Sequence, residues 1–107
     1  MENYMIWSVR YWDDGQVETW FDSLRHEEFK SVAKEVKLLA QCGNMLRLPH
    51  SKALGDGLFE LRERRYGYRI YYCFLPQSVV LLLHVGNKAT QKKDINTAKQ
   101  KLAAMKL

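Results

Sequence analysis

Apolar positions recur along this chain with two different periods. Between Tyr4 and Trp12, Met5, Trp7, Val9 and Tyr11 fall on one side and Ser8 and Arg10 on the other, the period of a half-buried strand. Asp13-Asp14-Gly15 turns the chain, and either aspartate can cap a following helix. Val17, Trp20, Phe21 and Leu24 then keep the spacing of an amphipathic helix. A second helical stripe runs through Phe29, Val32, Ala33, Val36 and Ala40, with Gly43 placed to stop it. Both stripes are short and face mixed charge, so they read as core and not as a membrane or cofactor surface.

Asn44 to Gly57 reads as a loop containing Pro49, His50, Lys52 and Gly55-Asp56-Gly57. Period two returns in Leu58 to Arg64, where Phe59 and Leu61 alternate with Glu60, Arg62 and Arg64. Arg65-Tyr66-Gly67 is a tight turn into a second strand, Tyr68 to Leu75. Pro76-Gln77-Ser78 turns again into Val79 to Val85, apolar on both faces until His84, as a covered central strand requires. Turns this short demand an antiparallel meander. Ile95, Ala98, Leu102 and Met105 mark a C-terminal helix. The expected order is β-α-α-β-β-β-α over residues 1–107, one α+β domain with a mainly antiparallel sheet and its helices packed on one face.

Composition narrows the function classes. With 47% hydrophobic residues in 107, the chain can bury a core and is not intrinsically disordered. Its longest apolar run, Val79 to Leu83, is far too short to cross a bilayer. The start, Met1-Glu2-Asn3-Tyr4, lacks the layout of a secretory signal, so a cytoplasmic location is expected. Cys42 and Cys73 provide neither a disulfide framework nor a zinc site; they read as small core residues of a reducing compartment. No carboxylate cluster, His-x-x-x-His pair, glycine-rich phosphate loop or nucleophile elbow is present, so no metal or small-molecule cofactor is expected.

The charge is lopsided. Residues 1–46 carry eight acids against five lysines and arginines, whereas residues 47–107 carry twelve bases against four acids, within a net +5. A basic half suits a polyanion, because neutralised phosphates release counterions. Arg62 lies on one hairpin strand and Arg69 on its neighbour, and side chains paired this way sit roughly 5 Å apart. Facing cations are unfavourable without an anion between them. Glu60 and Glu63 could supply it, as a surface ion-pair network of small energetic weight. A phosphate is the alternative, since guanidinium binds it in bidentate fashion and stays charged. Arg64 shares the face of Arg62, Lys52 and Lys88 could reach the rim of the same surface, and Tyr66, Tyr71 and Tyr72 offer rings for a base to stack on. His50 and His84 are candidate proton-transfer groups; an ordinary loop residue and a satisfied core histidine are their commoner explanations.

The stretch from Pro49 to Arg62, then Gly67 to Tyr72, then Val80 to His84, resembles the RelE/ParE toxin superfamily, and most its HigB-like, phage-related branch of type II toxin–antitoxin systems. Leu58-Phe59-Glu60-Leu61-Arg62, followed at the right interval by Tyr68-Arg69, carries the likeness. The resemblance implies a ribosome-dependent mRNA endonuclease that inhibits translation. It would cut without a metal, through attack of the ribose 2′-OH on the adjacent phosphate. Arg62, Arg69, Lys88 and His84 would then be catalytic, with His50, Lys52, Arg64, Arg65 and Tyr66 binding RNA. The implied partners are the ribosome, mRNA and a cognate antitoxin, expected to be a helix-turn-helix protein. Two departures stand out: Asn87 occupies a position where the branch has lysine, and Thr90-Gln91 lacks the usual proline. Gyrase poisoning of the ParE kind, or a catalytically weakened homologue binding antitoxin or nucleic acid, are the alternatives on the same scaffold.

Overall fold

The structure, a computed structural model, describes residues 6–105. Strand β1 (Ser8–Tyr11) leads to helices α1 (Gln16–Ser23) and α2 (His26–Cys42). Strands β2 (Ser51–Gly55), β3 (Leu58–Glu63), β4 (Tyr68–Leu75) and β5 (Val79–Asn87) follow, and α3 (Gln91–Met105) closes the chain. The sheet order is β1-β5-β4-β3-β2, with β1 parallel to β5 and every other pair antiparallel. The expected meander is therefore β3-β4-β5, and β5 is a mostly buried inner strand between β1 and β4. The expected strand around β1 is shorter than Tyr4 to Trp12, and Tyr4 and Met5 lie outside the described residues.

Local signals account for the elements. Asp14 accepts the amide of Gln16 at the start of α1. Gly43 ends α2 with φ of 53°, a conformation that glycine reaches at little cost. A Cβ at Gly43 would also collide with the Trp7 indole, so the helix end and the β1 approach are fitted to each other.

Two expectations need correction. The loop assigned to 44–57 contains β2, an edge strand pairing Ser51 with Leu61 and Lys52 with Glu60. Three of the five β2 residues are exposed, which leaves little alternation to read. The helices also do not share one face. Helices α1 and α2 cover a cluster of Val17, Val32, Leu39, Leu61, Ile70, Tyr72, Val80, Leu82 and Val85. Helix α3 covers the opposite side, where Leu58, Tyr71, Cys73, Leu81 and Leu83 meet Ala98 and Leu102. A sheet apolar on both faces must be covered on both, and α3 is the element left to do it.

A bulge tunes the α3 side. Tyr71 pairs with His84 but Tyr72 pairs with Leu82, so β5 carries one extra residue there. Leu83 and His84 consequently both lie on the α3 face, where strict alternation would have separated them.

Candidate functional site

On the α3 face, antiparallel pairing aligns side chains in rows. Lys52, Glu60, Tyr71 and His84 form one row, and Arg62, Arg69 and Gly86 the next. The guanidiniums of Arg62 and Arg69 do converge on one ligand, and that ligand is internal. Oε1 of Glu60 accepts Nε of Arg62 at 2.9 Å and a terminal nitrogen of Arg69 at 3.1 Å. Oε2 accepts the side-chain amide of Gln91, from the first turn of α3, at 2.8 Å. Glu60 is completely buried, whereas the side chains of Arg62 and Arg69 stay 27% and 15% exposed. Burial pushes the Glu60 carboxyl up. The bonds from Gln91 and Arg62 and the charges of Arg69 and Arg62 outweigh it, holding the group below its ordinary value and ionised.

Two guanidiniums on one carboxylate leave a single positive charge. Each guanidinium has five N–H donors and spends one on Glu60, so both keep donors for a second anion. Two buried polar atoms beside Glu60 have no hydrogen-bond partner of good geometry, Nε of Arg69 and the hydroxyl of Tyr71. Burial and the charge of Glu60 raise the Tyr71 phenol well above its usual pKa, so it remains a neutral phenol.

His84 lies in the same row but is fully engaged. Lys101 of α3 donates to its Nδ1 at 3.1 Å, so the ring proton sits on Nε2 and goes to Asp94, 3.0 Å away. Lys101 also donates to the Leu83 carbonyl at 2.9 Å and pairs with Asp14 at 2.6 Å, which occupies all three of its donors. Burial lowers the His84 pKa, the Lys101 charge lowers it further, and Asp94 only partly offsets them. His84 is thus a neutral bridge beneath α3. Gly86 makes room for this packing: a Cβ there would fall 1.8 Å from an Asp94 carboxylate oxygen.

The remaining expected site residues divide between the two faces. Lys52 is exposed on β2 as the cross-strand partner of Glu60, on the arginine side. Lys88 is exposed after β5, and its amide binds the carbonyl of Gly67 at the β3–β4 turn. His50 turns to the other face, where Nδ1 meets Glu35 of α2 at 2.9 Å. Arg64 and Arg65 line a cavity of about 430 Å³ with Lys30, Lys34 and Glu63, also against α2. Arg65 lies over the Tyr66 ring at 5.2 Å, and Tyr66 stacks on Tyr68, so Tyr66 belongs to that side as well. Tyr71 and Tyr72 are buried and offer no ring to a ligand. The sequence offers Glu60 as one possible anion between the arginines, within a surface ion-pair network, and the structure places it between them but buried; Gln91 is the residue that sequence reasoning left out. Glu60 shared the face of Arg62 by spacing, but only its burial marks it as the bridge. Asn87 has a local role, since its side chain accepts the amide of Thr90 and caps the turn that enters α3. Among the described residues, no three histidines, cysteines or carboxylates are grouped to hold a metal, and no helix is long and apolar enough to cross a membrane.

The same architecture occurs in solved toxin structures. The intact RelBE toxin–antitoxin complex of E. coli superposes with a TM-score of 0.59 at 18% identity, covering 76% of this chain and 95% of that one. The archaeal RelE–RelB complex of Pyrococcus horikoshii gives 0.57 at 17%, covering 78% and 97%. The chromosomal ParDE system of P. aeruginosa gives 0.51 at 13%, covering 78% and 98%. These likenesses establish the RelE/ParE toxin fold. In sequence, an uncharacterized Haemophilus influenzae protein is 37% identical over 84 residues, 77% of this chain and 81% of that protein. Residues 19–103 match the phage-derived Gp49-like proteins, and the chain belongs to that family.

Proposed function

We propose that the chain is the toxin of a toxin–antitoxin pair, an endoribonuclease that cuts ribosome-bound mRNA without a metal. One observation carries this reading: two guanidiniums from paired strands converge, and after Glu60 they retain a positive charge and free donors within reach of solvent. In the reaction the 2′-hydroxyl oxygen attacks phosphorus as its proton passes to water. The bond to the 5′-oxygen breaks and that oxygen takes a proton from water, leaving a 2′,3′-cyclic phosphate, and negative charge grows on the phosphorane between. Arg62 and Arg69 stabilise that charge. Lys52 and Lys88, both exposed, extend the cationic surface along the RNA. The ribosome and mRNA as substrate, and a cognate antitoxin as partner, complete the proposal. Inducing the chain in cells and mapping mRNA ends, beside Arg69→Ala, tests it. New cleavage sites that vanish in the variant are expected. Growth arrest with intact transcripts overturns it.

The engagement of both His84 nitrogens favours a second reading, a binding toxin of the ParE kind that acts on gyrase. Such a protein needs no proton-transfer group. Inhibited supercoiling by purified gyrase, with mRNA intact, selects it.

A further inference from the structure

Glu60 is an odd neighbour for a phosphate-binding pair, because its negative charge opposes the ligand. Its surroundings explain its presence. Arg62 and Arg69 face each other directly across the ladder, where like charges repel and long side chains swing outward. Glu60 is fully buried and takes donors from three elements: Arg62 on β3, Arg69 on β4 and Gln91 on α3. One oxygen receives both guanidiniums, so a single atom fixes their separation. The unpartnered Nε of Arg69 points the same way: this guanidinium is oriented by Glu60 and not by saturation of its own donors.

We propose that Glu60 is a positioning residue whose buried carboxylate pre-assembles the Arg62–Arg69 clamp, raising turnover of the RNA while weakening its binding. The proposal rests on the ribonuclease reading above. It joins two effects of opposite sign. A pre-arranged pair of cations stabilises the transition state without reorganising during the reaction. The extra negative charge cancels about one phosphate contact's worth of counterion release in the bound state. A merely structural residue would lower stability and leave this split absent.

The test uses the purified full chain as wild type, Glu60→Gln and Gln91→Ala. Thermal melting establishes that each variant is folded. Binding of a single-stranded RNA oligonucleotide is followed by fluorescence anisotropy over a series of salt concentrations, and cleavage of mRNA on programmed ribosomes under single turnover. Folded Glu60→Gln is expected to bind RNA several-fold more tightly, with a steeper salt dependence by up to about one phosphate contact, and to cut at least about ten-fold more slowly. Unchanged binding and cleavage, or loss of both, overturns the proposal. Should Glu60→Gln fail to fold, Gln91→Ala decides. It keeps the charge and removes only the bond orienting Oε2, so cleavage falls a few-fold at unaltered affinity; undiminished cleavage overturns the proposal. A wild type that leaves mRNA intact defeats the ribonuclease reading separately. The salt series then rules on Glu60 alone, with tighter binding by Glu60→Gln supporting opposition to the ligand and equal binding refuting it.

Discussion

The two faces of this sheet are built from the same five strands yet serve different ends. Under α1 and α2 the filling is aliphatic and aromatic: Leu61, Ile70 and Tyr72 pack with Val17, Val32 and Leu39, and Phe59 stacks on Tyr72. Its buried polar groups meet neutral partners: the Ser51 and Tyr72 hydroxyls bond to each other, and the buried Glu63 carboxylate accepts Ser31 of α2 and the amides of Arg65 and Tyr66. Under α3 the apolar filling occupies only part of the face. The rest is ionic, running from Arg62, Arg69, Glu60 and Gln91 to His84, Asp94, Lys101 and Asp14. Buried charges contribute little net stability and break down sharply when one partner is removed. The hydrophobic face can therefore hold the fold while the ionic face is free to be arranged for an anion.

Leu61 and Leu58 put this contrast to the hardest test, because both lie on β3, both are fully buried, and they face opposite sides. Leu61→Ala is expected to cost about 3–5 kcal/mol and Leu58→Ala about 2–3 kcal/mol, within the range for buried leucine truncation. Urea unfolding measures both, and a reversed order would break the contrast. Arg69→Ala should invert the pattern. Glu60 keeps Arg62 and Gln91, so stability falls by about 1.5–3 kcal/mol, the value of a hydrogen bond to a charged group. Under the proposed ribonuclease function, cleavage should fall by about 10²–10³, the usual effect of removing one transition-state donor. A variant with full activity and lower stability would make the ionic face purely structural. Gly86→Ala sits between these classes. Its new methyl would occupy the Asp94 carboxylate's place, so about 1–3 kcal/mol is expected to be lost through overpacking. If Gly86→Ala melts like wild type, Asp94 is not held as tightly against the strand as the structure has it.

How much of this was legible in the sequence follows the same division. The meander and the pairing of Arg62 with Arg69 followed from strand alternation and a short turn, both local properties. The opposite placement of α3 did not. Val79 to Val85 is apolar on both faces, which requires cover on both sides, but periodicity cannot say which helix supplies it. β2 escaped notice because an edge strand of Ser, Lys, Ala, Leu and Gly has no apolar face to read, although Asp56-Gly57 before an alternating run is itself a hairpin signal. The role of Glu60 depends on burial, and that of His84 on the bulge at Leu83. Both are tertiary properties, invisible to a count of alternating residues.

The smallest effect is the most specific to the ionic face. His84 is neutral in the fold because burial lowers its pKa below the ordinary 6.5, assisted by the charge of Lys101. The unfolded chain accepts the proton first as pH falls. His84 thus contributes stability that is complete above about pH 6.5 and declines as pH drops toward its folded value. Glu60 and Asp14 also have lowered values, and their contributions decline on acidification too, but from the carboxylate range downward. Measuring between about pH 7 and 5 keeps the two groups apart. His84→Gln, which retains a donor and an acceptor, should lose about 1 kcal/mol at neutral pH and show a flatter profile through that interval. Unfolding free energies at several pH values supply the readout. Parallel profiles for wild type and variant would mean that folding leaves the His84 pKa unshifted. A wild type that gains stability over the variant as pH falls would mean that His84 is protonated in the fold, and the bridge between Lys101 and Asp94 would have to be redrawn with an imidazolium at its centre.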